Sequence, residues 1–550
     1  MNYDQLFLLA VERTWRLENE RGWMELVDQD IVENIADENQ QQRLLTLPDN
    51  RRRNVLSKFM KERCTKGNGN MEEFENRLKA LKLLLTPQTV EIKIDGLMTF
   101  SPQDAKEIHF LKVLRLISKD APNLQTFSVF LEIRADREIL DKIISFKSLH
   151  NLDFSKTTVT YSELSQICRE LENLQHVNIQ IWSEGELHLD VEDFKNSFRR
   201  LKTFLFTIQN DVHRQSSKKA EKEFWRLCVR ELPHLEIVGR VADDPVVTHG
   251  QLRVIELPAS TSNLRHLVTR PNNLGMHLAF PNVTHLNIDF WDLADQSAIN
   301  AMLQFSSRIE SLILVTPPIE VVVSSFLSKY GCTLKNLVIN NSWMALRYLF
   351  EPIIRLCPHL KKLTLLNVEM VDDLMRPAGT LQELTHFEWY PPKRHYSGRC
   401  ATLSSFLKIA PNLQSLRLRN EWFWPEDLKI ISNLIAEQKI LQKLEQLHFD
   451  HLSDLEIPSD YKTNPEFQQF AAFFPVLSGF IKYAIALCPV LKDVYIFVQS
   501  HEDDLETFIE EKYGENASSL TDETLNEEAL FMLGEENLVQ FIRVFNPHLA

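Results

Sequence analysis

Residues able to do chemistry are plentiful in this chain of 550 residues, but they are rarely gathered in one place. Seven cysteines, Cys64, Cys168, Cys228, Cys332, Cys357, Cys400 and Cys488, are scattered, odd in number and never spaced as CxxC. That pattern fits the reduced thiols of cytosol or nucleus better than a disulfide framework or a zinc site. The 17 histidines show no ligand spacing with cysteine or carboxylate. Asp243-Asp244 runs into Pro245 and reads as a turn. His501-Glu-Asp-Asp504 could bind a divalent ion, but its acidic surroundings give it the plainer reading of a solvated run. No GxxxxGK[ST], GxSxG, HExxH or EF-hand loop occurs. With only 14 glycines there is little material for a phosphate-cradling loop. The expectation is a protein without enzymatic activity, metal or cofactor. One group does stand out: Arg417 and Arg419, alternating with leucines, and Tyr390 upstream of them. Arginine and aromatic side chains are the usual anchors of protein interfaces.

The elements that must position these residues are repeated. Segments resembling Cys357-Pro-His-Leu-Lys-Lys-Leu-Thr-Leu-Leu-Asn367 begin, on their first apolar residue, at Leu124, Leu149, Leu174, Leu201, Leu235, Leu264, Val283, Ile309, Leu334, Leu360, Leu384, Leu413, Leu444 and Leu491. The steps from Val283 to Leu384 are 26, 25, 26 and 24 residues, the period of a leucine-rich repeat solenoid. Each unit has the form LxxLxL, as in Leu149, Leu152 and Phe154 or Leu413, Leu416 and Leu418. Alternation along a strand buries these residues and turns those between them outward. Helical stretches such as Tyr161–Leu171, Ile319–Tyr330 and Leu346–Leu356 lie between the strands. A strand-plus-helix unit cannot bury its own apolar face and must stack on its neighbours. The predicted fold is thus α/β: a curved parallel sheet with helices on its convex side and an all-helical cap at the N-terminus. Its outward, concave residues include Asn151, Asp153, His176, Asn178, His285, Asn287, Asp289, Asn336, Asn340, Lys362, His386, Glu388, Tyr390, Arg417, Arg419, His448, Asp450, Tyr495 and Phe497. Of these, His285, Asp289, Tyr390, Arg417, Arg419 and Tyr495 are the expected partner contacts.

Residues 1–85 lack the repeat. Tyr3–Asn19 and Glu25–Ala36 have helical periodicity, Pro48-Asp49 is a helix start, and Glu72–Leu85 is a further helix. The array covers 86–498, with insertions near 209–232, 391–400 and 453–480. Insertions in a solenoid loop out of one face, where they carry binding residues or are mere drift of the repeat. Residues 499–550 are acidic and end in a helical stretch, which reads as a polar cap or an acidic docking tail. Trp182, Trp291, Trp343 and Trp422 follow their strands where a common repeat places an inward asparagine or cysteine. They are either buried wedges or a partner-binding rim. The formal net charge of −15 opposes general nucleic-acid binding. The six-residue apolar run Leu6–Val11 is too short for a membrane span or a signal peptide, so a cytoplasmic or nuclear protein is expected.

The units containing Cys-Pro-x-Leu-x-x-Leu or Ala-Pro-Asn-Leu-x-x-Leu, at Cys357–Leu363, Ala121–Phe127, Ala410–Leu416 and Cys488–Val494, resemble the leucine-rich repeats of F-box proteins. They are more broadly similar to the ribonuclease-inhibitor type. The resemblance implies a substrate-receptor subunit of a cullin–RING ubiquitin ligase, whose repeats hold a protein substrate and whose N-terminal helices dock a Skp-type or elongin adaptor. Leu44-x-x-Leu47-Pro48, followed by Val55, Leu56, Phe59 and Met60, resembles the start of an F-box or cullin-box helix. This assigns adaptor contacts to Leu47, Val55, Leu56 and Phe59. Arg51-Arg-Arg53 stands where either box has apolar residues, and Ala10 where an elongin-binding helix prefers cysteine. A plain cap over the first repeat, in a scaffold or inhibitor with no ligase link, is the alternative.

Overall fold

The helix Phe350–Leu356 stops at Cys357 because Pro358 has no N–H to continue the ladder. The chain then turns sharply, Leu360 N donating to Cys357 O at 3.3 Å. It enters the strand Lys362–Leu366, whose first residue donates to Lys335 O of the preceding repeat at 3.0 Å. The same turn recurs at Ala121–Leu124, Leu171–Leu174, Gly331–Leu334, Ala410–Leu413 and Cys488–Leu491. The computed structural model describes residues 49–497 apart from 65–68, 184–188, 210–213, 240–260, 272–273, 291–295, 307, 342–345, 372–380, 392–401, 420–424, 451–475, 477–478 and 482. The expected helices Tyr3–Asn19 and Glu25–Ala36, residue Leu47 and the segment 499–550 lie outside the described residues.

The chain divides into two compact units, residues 21–269 with 275–283, and residues 270–274 with 284–550. Both are mixed α/β stacks of parallel strands, consistent with a repeat solenoid. In the N-terminal unit the strands are β1 (Glu91–Lys93), β2 (Thr126–Ser128), β3 (Asn151–Thr160), β4 (His176–Trp182), β5 (Thr203–Gln209) and β6 (Ile237–Gly239), hydrogen-bonded in that order. A short β7 (His266–Thr269) follows, and Arg265 N donates to Glu236 O at 2.8 Å. In the C-terminal unit the strands are β8 (His285–Asp289), β9 (Ser311–Val315), β10 (Asn336–Asn340), β11 (Leu346–Leu349), β12 (Lys362–Leu366), β13 (Val368–Val371), β14 (His386–Tyr390), β15 (Ser415–Arg419), β16 (Gln446–Asp450) and β17 (Asp493–Phe497). Here β8, β9, β10, β12, β14, β15, β16 and β17 form one parallel run, and β11 pairs with β13 in a small sheet of its own.

The register follows directly from the sequence. Every strand with a repeat anchor starts two residues after it: Leu360 gives Lys362, Leu384 gives His386, Leu149 gives Asn151. Inward rows therefore match leucine to leucine, as in Leu337, Leu363, Phe387, Leu416, Leu447 and Val494. All six are buried. The helices Tyr161–Glu170 and Glu320–Tyr330 form where their spacing predicts. Two stretches differ. Leu346–Leu349, expected to be helical, is a strand, because Val368–Val371 offers it a β-branched parallel partner and the helix begins only at Phe350. Within the expected insertion near 209–232, the polar stretch around Lys218–Glu223 is helical, part of Arg214–Glu231, being rich in lysine, glutamate and alanine.

A seam missed by periodicity holds adjacent turns together. Asn123 donates to Pro87 O at 3.0 Å, Asn173 to Lys147 O at 3.0 Å and Asn412 to Gln382 O at 2.6 Å. Each asparagine precedes its repeat's anchor leucine, so the recurring Asn-Leu pair was the available signal. A step of the inward-asparagine ladder is kept after β12. There Asn367, at φ 56°, turns its amide to Asn341 O at 2.5 Å.

Before β1, the helices Asp49–Phe59 and Met71–Leu84 pack on each other. His109, from the helix Lys106–Asp120, is buried beside them, its ring stacked on Phe74 at 4.0 Å and its Nδ1 2.8 Å from Ser101 Oγ. Burial, with Lys112 second, holds its pKa below the ordinary 6.5. Below pH 6.5 the unfolded chain then takes up the proton and the folded one resists it, so stability falls as pH drops through that window. Melting temperatures between pH 7.5 and 5.5 are expected to decline less steeply in His109→Leu than in the wild type; identical slopes would exclude His109 as a contributor. Among the described residues no helix is long and apolar enough to cross a membrane.

Candidate functional site

The outward positions of the C-terminal unit form three rows. The middle one runs Asn287, Ile313, Val338, Thr364, Glu388, Arg417, His448 and Tyr495, each opposite the next. Its first four residues are uncharged, and Glu388 and Arg417 bring charge to the second four. The charged part is organised by Glu388, on β14. Glu388 Oε1 accepts from Tyr390 OH at 2.6 Å, its Oε2 accepts from Thr364 Oγ1 at 3.1 Å, and Arg417 Nε lies 3.6 Å from Oε1. Three strands thus converge on one mostly buried carboxylate, while the Arg417 side chain is 38 % exposed.

The fold brings together Tyr390 and Arg417 of the expected contacts. Arg419 stands opposite Asp450, and Tyr495 opposite His448, by backbone register. His285 and Asp289 lie on β8, four strand steps or about 19 Å from β14. His285 is half-buried, with Nδ1 2.9 Å from Thr284 Oγ1. Asp289 is buried, at 7 % exposure. Val55, Leu56 and Phe59 are likewise core residues at 0, 4 and 0 % exposure, with Arg77 lying 5.5 Å from the Phe59 ring. They face the chain itself, and the exposed side of that helix carries Arg53, Asn54 and Ser57 instead. Glu388 is the residue the sequence placed on the face without assigning it a role. Alternation shows that a glutamate points outward but not that three neighbours close on it.

On the N-terminal unit the outward residues bond across strands. Asn151 Nδ2 donates to Thr126 Oγ1 at 3.0 Å, Asn178 Nδ2 to Asp153 Oδ1 at 2.9 Å and Gln209 Nε2 to Gln180 Oε1 at 2.9 Å. His176 Nδ1 lies 2.9 Å from Thr203 Oγ1, and burial lowers its pKa. Trp182 is half-buried beside Arg134, 5.9 Å from its ring. Trp291, Trp343 and Trp422 are outside the described residues. Burial pushes the Cys168 and Cys357 thiols up to about 12, so these are packing groups and not nucleophiles. Among the described residues no group of three His, Cys, Asp or Glu could hold a metal ion.

No family model matches the chain, and neither does any curated protein. Solved structures do. The complex of Rad7 and Elc1 in yeast matches over 82 % of this chain and 93 % of that one, at 13 % identity and a TM-score of 0.31. A TDR receptor matches over 68 % of this chain and 62 % of its own, at 14 % identity and a TM-score of 0.27.

Proposed function

We propose that this chain is a non-enzymatic leucine-rich repeat protein that recognises another protein through the outward face of β12 to β16. The observation that supports this is the convergence of Thr364, Tyr390 and Arg417 on Glu388. A half-buried arginine held against a carboxylate, beside a tyrosine, is the composition of an interface anchor. In its fuller form the proposal is a substrate receptor of a cullin–RING ubiquitin ligase, the repeats holding the substrate and the N-terminal helices a Skp-type or elongin adaptor. The burial of Val55, Leu56 and Phe59 favours a second reading for those helices, a cap on the first repeat in a scaffold or inhibitor.

One purification separates the readings. The intact chain and its Arg417→Glu/Arg419→Glu double variant are expressed in cells and their bound proteins quantified. The double variant is expected to lose its main partner by at least tenfold, since reversal turns an attractive anchor into a repulsive one. Full retention overturns the assignment of this face. Recovery of a Skp-type protein or elongin B/C with both forms supports the ligase version; recovery of neither leaves the scaffold.

A further inference from the structure

The outward face of β1 to β4, in the N-terminal unit, carries a carboxylate with no ion pair among the described residues. Asp153, on β3, is half-buried and accepts from Asn178 Nδ2 at 2.9 Å, from Ser155 N at 3.3 Å and from Ser128 Oγ at 3.4 Å. All three donors are neutral. Asp95, just beyond β1, accepts from Phe130 N at 2.6 Å. Neither carboxylate has an ion pair among the described residues. The nearest outward lysine on β1, Lys93, lies 3.7 Å from Glu91 instead. Burial, and secondarily the charge of Asp95, raises the pKa of Asp153, the mark of a carboxylate in want of a cation.

Two further features lie against this pair. Phe130, whose backbone binds Asp95, holds its ring 58 % exposed, with Lys156 Nζ 5.6 Å from the ring centroid. A phenylalanine so open beside a sheet face is unusual for a group whose burial is favourable. Asn178, having turned its amide nitrogen to Asp153, leaves its Oδ1 shielded from solvent with no donor. The face thus presents two carboxylates and an aromatic ring. We propose that it is a docking surface for an arginine side chain of a partner protein, its guanidinium between Asp95 and Asp153 and its flat face against Phe130. Guanidinium matches this set because it is planar, carries five donors in a fork and stacks on aromatic rings, whereas ammonium is a compact, strongly hydrated charge. The chain's net charge of −15 favours approach of a basic segment. This surface is separate from the Arg417 face and does not depend on it.

The test uses the full chain and a fluorescein-labelled glycine–arginine repeat peptide, with glycine–lysine and glycine–glutamate peptides of equal length. The arginine peptide is expected to bind saturably, the lysine peptide several-fold more weakly and the glutamate peptide not at all. Asp153→Asn should weaken the arginine peptide at least tenfold and Phe130→Ala several-fold. Asp153→Asn keeps the shape and relieves a buried charge, so its melting temperature should equal or exceed that of the wild type. Phe130→Ala alters an exposed ring and repeats the readout without risk to the core. Unchanged affinity in Asp153→Asn, no saturable binding, or a lysine peptide binding as tightly as the arginine one overturns the proposal.

Discussion

Replacing Phe224 with alanine is expected to destabilise the N-terminal unit by about 3–5 kcal/mol, the range for truncating a buried aromatic. Phe224 lies in the helix Arg214–Glu231 with no exposed surface. Its ring centroid is 4.8 Å from that of Phe206, 5.2 Å from Phe194, 5.7 Å from Phe204, 6.1 Å from Tyr161 and 6.2 Å from Phe198. Those five rings come from β5 and from the helices Tyr161–Glu170 and Val191–Phe198. Most meet Phe224 edge to face, the arrangement that aromatic quadrupoles prefer. Phe224 therefore closes one repeat on the next, and in a stack held by nearest-neighbour contacts its loss is felt on both sides. Leucine at 224 should recover much of the stability, because it refills most of the volume. Urea unfolding of the three proteins checks this, and a loss below about 1 kcal/mol for alanine would mean that the cavity collapses freely.

Where the sequence was legible, it was so because one residue settles many. The anchor leucines fix the strand start, the start fixes the register, and the register fixes which side chains share a row. Leu363, Leu416 and Leu447 were therefore readable as core, and Glu388, Arg417 and His448 as neighbours on a face. What alternation does not carry is the state of an outward group. Glu388 and Asp153 are both half-hidden acids on middle-row positions, yet the first has Arg417 beside it and the second has only neutral donors. That difference depends on the residues one strand away, and so on tertiary contacts.

Apolar periodicity has a matching blindness in helices. Val55, Leu56 and Phe59 form a stripe that serves equally for a partner or for the chain's own core, and here the chain's own packing covers it. The strand Leu346–Leu349 shows the same ambiguity at short range, since four residues are too few to separate a period of 2 from one of 3.6. The turn asparagines are visible in the sequence as recurring Asn-Leu pairs, but their acceptors are not. Asn123, Asn173 and Asn412 act through backbone carbonyls of the preceding repeat, which have no side-chain signature.

Gly96→Ala is expected to cost about 1–3 kcal/mol or more, as an overpacking change that its surroundings cannot accommodate. A methyl there would sit 2.3 Å from Glu62 O and 2.4 Å from Met60 O, and backbone carbonyls cannot rotate aside as a flexible side chain would. The same point is tied by hydrogen bonds. Thr99 Oγ1 donates to Gly96 O at 2.6 Å and accepts from Cys64 N at 2.8 Å. Glycine is therefore required by close approach, because the end of the helix Asp49–Phe59 rests on this turn. The methyl would push that helix outward, and with it Asp95, the neighbour whose carboxylate receives Phe130 N. Alanine at Gly479, which has open space where the new carbon would stand, is the matched control. In that helical position it should be neutral or stabilising by up to about 1 kcal/mol. Urea unfolding with hydrogen exchange across 49–100 should show the Gly96 variant weakened and its N-terminal helices exchanging faster. Equal stability of the two variants would mean that the turn yields, and that the N-terminal helices are held only by their apolar faces.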